Sequence, residues 1–149
     1  MQKLVFDSGI REFQLVEGAG VLRFNPSDLN VYNRFLEASK KVVAVEGAFV
    51  AKVKNIGNDG AEALRLIAEA DRELKKILRW VFGEKNDFDR ILNGVNLMAV
   101  GENEERVITN LFHVLLPVFQ EGVERCAQQK IDAAVTQAKQ NRQQRRAKK

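Results

Sequence analysis

Few side chains in this sequence are placed to do chemistry. His113 is the single histidine and Cys126 the single cysteine. One of each cannot build a His/Cys zinc site within a chain, and no metal is expected. A catalytic histidine needs a nucleophile or carboxylate beside it, and His113 lies in the most apolar stretch of the sequence. It reads as an interfacial or half-buried residue. Cys126, on a helical pattern, reads as a small apolar packer and not as a reactive thiol. Glu84, Asp87 and Asp89 look like part of a calcium loop but lack the central glycine and terminal glutamate of an EF-hand. Gly18-Ala19-Gly20 carries two glycines, without the strand–loop–helix spacing of a phosphate loop. The carboxylates are numerous but sit three or four residues from bases, as in Glu62/Arg65, Glu69/Arg72 and Asp71/Lys75. No acid/base couple is isolated, so no catalytic residue and no cofactor are assigned.

What remains are surfaces. The last eleven residues, Lys139 to Lys149, hold six bases and no acid. Removing those charges from the net +4 leaves residues 1–138 at −2. The pI of about 9.3 thus belongs to the end of the chain. A basic body would suggest a nucleic-acid-binding fold, whereas a basic end on a mildly acidic body suggests a local contact or a solvated terminus. Arg142, Arg145, Arg146, Lys148 and Lys149 form this basic tail. It has no aromatic residues on which bases could stack, so nucleic acid is not the expected partner. The other surface is apolar. Val107, Ile108, Leu111, Phe112, Leu115, Leu116, Val118 and Phe119 cover about half of a helix circumference, where a core-facing stripe needs about a third. Leu111, Phe112, Leu115, Leu116 and Phe119 are therefore the candidate partner-binding residues. The plainer alternative is that this is the central core helix.

The elements that must position these surfaces follow from periodicity. In 149 residues, 45% of them hydrophobic, one domain with a real core is expected. Lys3–Phe6, Arg11–Val16 and Val21–Phe24 read as three short strands separated by Asp7-Ser8-Gly9 and Glu17–Gly20, an antiparallel β-meander over residues 1–25. Asn25-Pro26-Ser27-Asp28 is a helix start. From it a helix of about 30 residues is expected, up to Gly57, with Leu29, Tyr32, Leu36, Val43, Val50 and Val53 recurring along it and Gly47 as its weak point. A second helix runs from about Ala61 to Phe82, with Leu64, Ile67, Leu74, Leu78 and Val81 as its seam. Asp71 interrupts the seam and should pair with Lys75 at its edge. A short helix follows around Phe88, Ile91 and Leu92, and Val95–Val100 fits either a strand or a helical turn. A last helix starts near Glu102, is kinked at Pro117 and frays by about Gln140. The expected fold is mainly α with a small N-terminal β-meander (α+β), the long helices packed as a bundle. Residues 26–138 make the helical domain and 139–149 an irregular basic tail. No run approaches the roughly 20 apolar residues of a membrane span, the start lacks a signal-peptide core, and one cysteine excludes an internal disulfide. A cytoplasmic protein is expected.

The order of these pieces carries a resemblance. A β-hairpin start leads into Val21-Leu22-Arg23-Phe24-Asn25-Pro26-Ser27-Asp28 and on through Leu29-Asn30-Val31-Tyr32-Asn33-Arg34-Phe35. The second helix ends in Val81-Phe82-Gly83-Glu84, and the chain finishes Asn141-Arg142-Gln143-Gln144-Arg145-Arg146-Ala147-Lys148-Lys149. This resembles the small tail assembly chaperones of long-tailed phages and prophages of Gram-positive bacteria. The resemblance implies a non-enzymatic protein of the bacterial host cytoplasm that keeps the long helical tape measure protein soluble until the tail tube polymerises around it. The tape measure protein would be its partner, with self-association covering the apolar patch when no client is bound. Two other classes are open: a structural tail component of the virion, which would carry more strand, and a small RNA-binding regulator acting through the tail.

Overall fold

In a computed structural model the chain is described over residues 1–147, the side chains of positions 130 and 131 excepted. Its elements are two strands, β1 (Arg11–Phe13) and β2 (Leu22–Phe24), and four helices, α1 (Leu29–Val53), α2 (Gly60–Phe82), α3 (Phe88–Ile91) and α4 (Val107–Ala147). The mainly helical α+β class is as expected.

The sheet is smaller than expected. β1 and β2 pair antiparallel, Glu12 opposite Arg23, with the two side chains ion-paired at 2.7 Å on the exposed face. Leu22 and Phe24 point inward and are buried. The third expected strand, Lys3–Phe6, does not form. Asp7 accepts from the Gly9 N–H at 2.8 Å, and Asn25 donates to the Ser8 carbonyl at 3.0 Å, which turns the chain just before β1. Leu4, Val5 and Phe6 are left exposed, with no ladder. The outer edge of β2 is closed by a side chain. Buried Asn86 accepts from the Arg23 N–H at 2.9 Å and donates to the carbonyls of Arg23 and Phe82 at 3.0 and 2.8 Å. One amide thus stands in for a strand and satisfies the backbone that would otherwise be orphaned.

Asp28, not Asn25, caps α1, accepting from the Asn30 N–H at 2.9 Å. Asn25 instead closes the preceding turn onto Ser27. The 25 residues of α1 make a helix about 38 Å long. It is continuous through Gly47, the expected weak point. Asp59 caps α2 through Glu62, Gly83 ends it, and α2 returns antiparallel along α1. The hairpin is tied by Arg34 donating to the Val81 carbonyl at 3.0 Å and by Lys52 to Glu69 at 3.2 Å. Lys41 also lies over the Trp80 ring, 3.5 Å from its centroid.

The ambiguous segment 95–100 is neither strand nor helix but a cap for α4. Carbonyls of Ala99 and Leu97 accept from the Val107 and Ile108 N–H groups at 2.8 and 3.0 Å, which satisfies donors at the start of that helix. The segment is itself held by Asp71, which accepts from the Leu97 N–H at 2.8 Å and pairs with Lys75 at 2.9 Å. The expected Asp71–Lys75 pair is present, and Leu97 is the partner that the spacing did not reveal. Burial disfavours the Lys75 ammonium, but its hydrogen bonds to Asp71 and Asp89 and their charges outweigh this and hold its pKa above the ordinary lysine value.

α4 starts five residues later than expected and runs on for 41 residues, about 62 Å, with Pro117 inside it. The basic segment predicted to be irregular is helical through Ala147, and Lys148 and Lys149 lie outside the described residues. At Gly122 α4 crosses the Pro26 carbonyl so closely that a Cβ there would stand 2.0 Å from the oxygen. Aromatic rings fill the core between α1, α2, α4 and β2. The Phe119 ring lies 4.6 Å from Phe35, 5.2 Å from Phe24, 5.3 Å from Tyr32 and 6.1 Å from Phe82, centroid to centroid.

Candidate functional site

The apolar patch on α4 is mostly core. Leu111, Leu115 and Phe119 are buried, while Phe112 and Leu116 are half-buried and packed against the same cluster, Phe112 stacked on Phe35 at 4.7 Å. Rings of β2 (Phe24), α1 (Phe35) and α2 (Phe82) meet it, and the Leu97 carbonyl accepts from the Ile108 N–H beside it. Leu111, Leu115 and Phe119 thus match the plainer expectation of a central core helix, and Phe112 and Leu116 keep part of their surface in solvent. Of the outward residues of this half-helix, Val114 is the exposed large aliphatic.

Exposed apolar residues lie instead on the N-terminal segment, at Leu4, Val5 and Phe6, and in a line on α1. Its buried face is Val31, Phe35, Ala38 and Val42. Of the six residues that the sequence pattern put forward as its recurring stripe, four point to solvent: Leu29 is 44% exposed, Leu36 44%, Val43 68% and Val50 45%; Tyr32 and Val53 are half-buried, Tyr32 stacked on Phe119. The four exposed residues are spaced seven apart, so they form one line along the helix, as in a coiled-coil seam. Ala44, Gly47 and Ala51 beside them are also exposed, which leaves that half of the face nearly free of bulk. α1 is apolar on two sides, one turned to its own core and one unpartnered among the described residues.

The polar candidates resolve into structure. Asp87 caps α3 through the Asp89 N–H at 3.0 Å, so the calcium-like cluster is a helix start. Among the described residues no group of three or more His, Cys, Asp or Glu is arranged to hold a metal ion. His113 is exposed and Cys126 half-buried. On the outer face of α2, Glu62 pairs with Arg65, as expected, and the bond to the guanidinium holds the Glu62 carboxyl below its ordinary pKa. Glu69 pairs with Lys52 and Arg65, and not with Arg72, and Lys52 lowers its pKa in the same way. These exposed pairs make α2 a solvated face and contribute little to stability.

The basic tail is presented on a projecting helix. Every residue from Asp132 to Ala147 is exposed, including Lys139, Arg142, Arg145 and Arg146. No described helix is long and apolar enough to cross a membrane. No protein-family model, curated protein or solved structure matches the chain.

Proposed function

We propose that the chain is a non-enzymatic holding chaperone for a long helical client, and that the client is the tape measure protein of a phage tail in the cytoplasm of its bacterial host. The observation that carries this reading is the outer stripe of α1, Leu29, Leu36, Val43 and Val50. A seven-residue apolar repeat on a rigid, two-sided helix is complementary to the apolar stripe of another helix, docked side by side. The low bulk at Ala44, Gly47 and Ala51 lets a partner backbone come close. A client rich in helix would be held by this face and released when the tube offers its own helix-covering surface. The order of elements adds the resemblance to tail assembly chaperones. Two strands of three residues each speak against the alternative of a structural tube or connector protein, which would need more strand.

The experiment is co-expression with the tape measure protein of the same genome, scoring the soluble fraction of the latter. The double substitution L36K/V43K is expected to leave the chaperone folded, because both residues are solvent-facing, and to abolish client solubility. Retention of full client solubility by that variant would sink the reading.

A further inference from the structure

The projecting half of α4 has no partner within the described chain, and its surface is patterned. Beyond Cys126, α4 continues for 21 residues in which neither glycine nor proline occurs. One of its faces also carries a charge pattern that spans both halves of α4. Glu121 and Lys139 are eighteen residues apart, as are Glu124 and Arg142, which is five full turns, so all four lie within about 60° of one another around the axis. All four are exposed, and none makes an ion pair among the described residues. Two acids three residues apart are thus matched, on the same face, by two bases three residues apart.

We propose that α4 pairs with the α4 of a second copy of this chain, antiparallel, with the two-fold axis between positions 131 and 132. In that register Glu121 faces Arg142 of the second copy and Glu124 faces Lys139, and the symmetry repeats both pairs. Gln128 faces Val135, placing an exposed aliphatic at the seam. Positions 117 to 146 overlap, about 45 Å of helix. Each projecting half lies along the solvent face of the other's packed half. The same charges would also match in a parallel pairing staggered by eighteen residues, but that contact leaves open ends, whereas the antiparallel one is isologous and closes at two copies. The dimer uses none of Leu29, Leu36, Val43 or Val50, so the client face stays free. The proposal does not depend on the identity of the client.

Charge reversal tests it on the full chain by sedimentation velocity at low and high salt, with circular dichroism as a folding control. The unmodified protein is expected to dimerise and to weaken as salt screens the exposed pairs. K139E/R142E, which puts acids at all four paired positions, and E121K/E124R, which puts bases at all four, are each expected to dimerise at least about tenfold more weakly. Mixed together, the two variants should form a heterodimer, because every facing pair is then opposite in sign. A wild-type chain that stays monomeric at low salt would overturn the proposal. So would reversal variants that dimerise as tightly as the wild type, or folded variants that fail to combine when mixed. None of these readouts involves a client, so the client reading and the dimer can fail separately.

Discussion

Two apolar stripes on two long helices have opposite fates in this molecule. That of α4, Leu111, Leu115 and Phe119, is fully enclosed, while that of α1, Leu29, Leu36, Val43 and Val50, stays in solvent. The α4 stripe is the denser and includes an aromatic ring that reaches four others. The α1 stripe has one branched aliphatic per two turns and small residues between. Density drives a face into the core, because burial scales with the apolar area that a contact removes from water. A sparse line at period seven offers too little area to organise a fold.

The sharpest way to break the comparison is to truncate one residue of each stripe and measure unfolding by denaturant. Phe119→Ala empties the middle of the ring cluster and should cost about 3–5 kcal/mol. Leu36→Ala should cost less, about 1 kcal/mol, since nearly half of its surface is already solvated. Equal costs would mean that the α1 stripe is covered in the free protein, and the assignment of the two roles would have to be reversed.

A smaller effect is expected at the junction that lets α4 pack at all. Asp71→Ala strands the Leu97 N–H and leaves Lys75 with only exposed Asp89, and should cost about 1–3 kcal/mol. The pH dependence follows from Lys75, whose pKa is raised on folding. Its contribution is complete below the unfolded lysine value and is lost as pH rises through the folded one. Wild-type stability should therefore hold through neutral pH and decline above about pH 10.4. In Asp71→Ala the decline should be shallower, which a series of denaturation curves from pH 8 to 11 would detect. A parallel decline in both proteins would remove Lys75 from the account.

Much of this architecture is legible in the residues. The end of α2 at Phe82 matches its apolar period, and the pairing of Asp71 with Lys75 follows from their spacing. The orientation of α1 is not legible, because Val31, Phe35, Ala38 and Val42 and the outer stripe are both helical repeats of comparable weight. Which one turns inward is decided by Phe112 and Phe119, some eighty residues away. The role of Asn86 as a mock strand is hidden for the same reason: its partner, Arg23, is 63 residues distant. How much of the α4 patch is core is not legible either, because the rings that bury Phe119, Phe24 and Phe35 among them, come from distant parts of the chain. The helical tail did have a local signal. After Gly122 the chain contains no helix breaker and is rich in Gln, Ala, Lys and Arg, all good helix formers. Polarity is a property of the surroundings that a segment prefers, and propensity is a property of its backbone; here the two point to different structures.

The smallest effect expected is on the stability of the body when the tail is removed. A chain ending at Ala138 loses nine described helical residues, all of them exposed. Residues that bury nothing contribute little to the folded body, so its unfolding free energy should change by no more than about 0.5 kcal/mol. Circular dichroism should show a loss of helical signal in proportion to the residues removed, and an unchanged melting temperature. Because Lys139 and Arg142 go with the tail, self-association should be lost in the same protein, so one sample separates the two halves of α4. The packed half should govern melting and the projecting half the proposed self-association. A melting temperature lower by several degrees at a concentration where the wild type is monomeric would mean that the tail packs against its own body. The solvated helix would then be an arm folded back, and the contrast between the buried stripe of α4 and its projecting end would collapse.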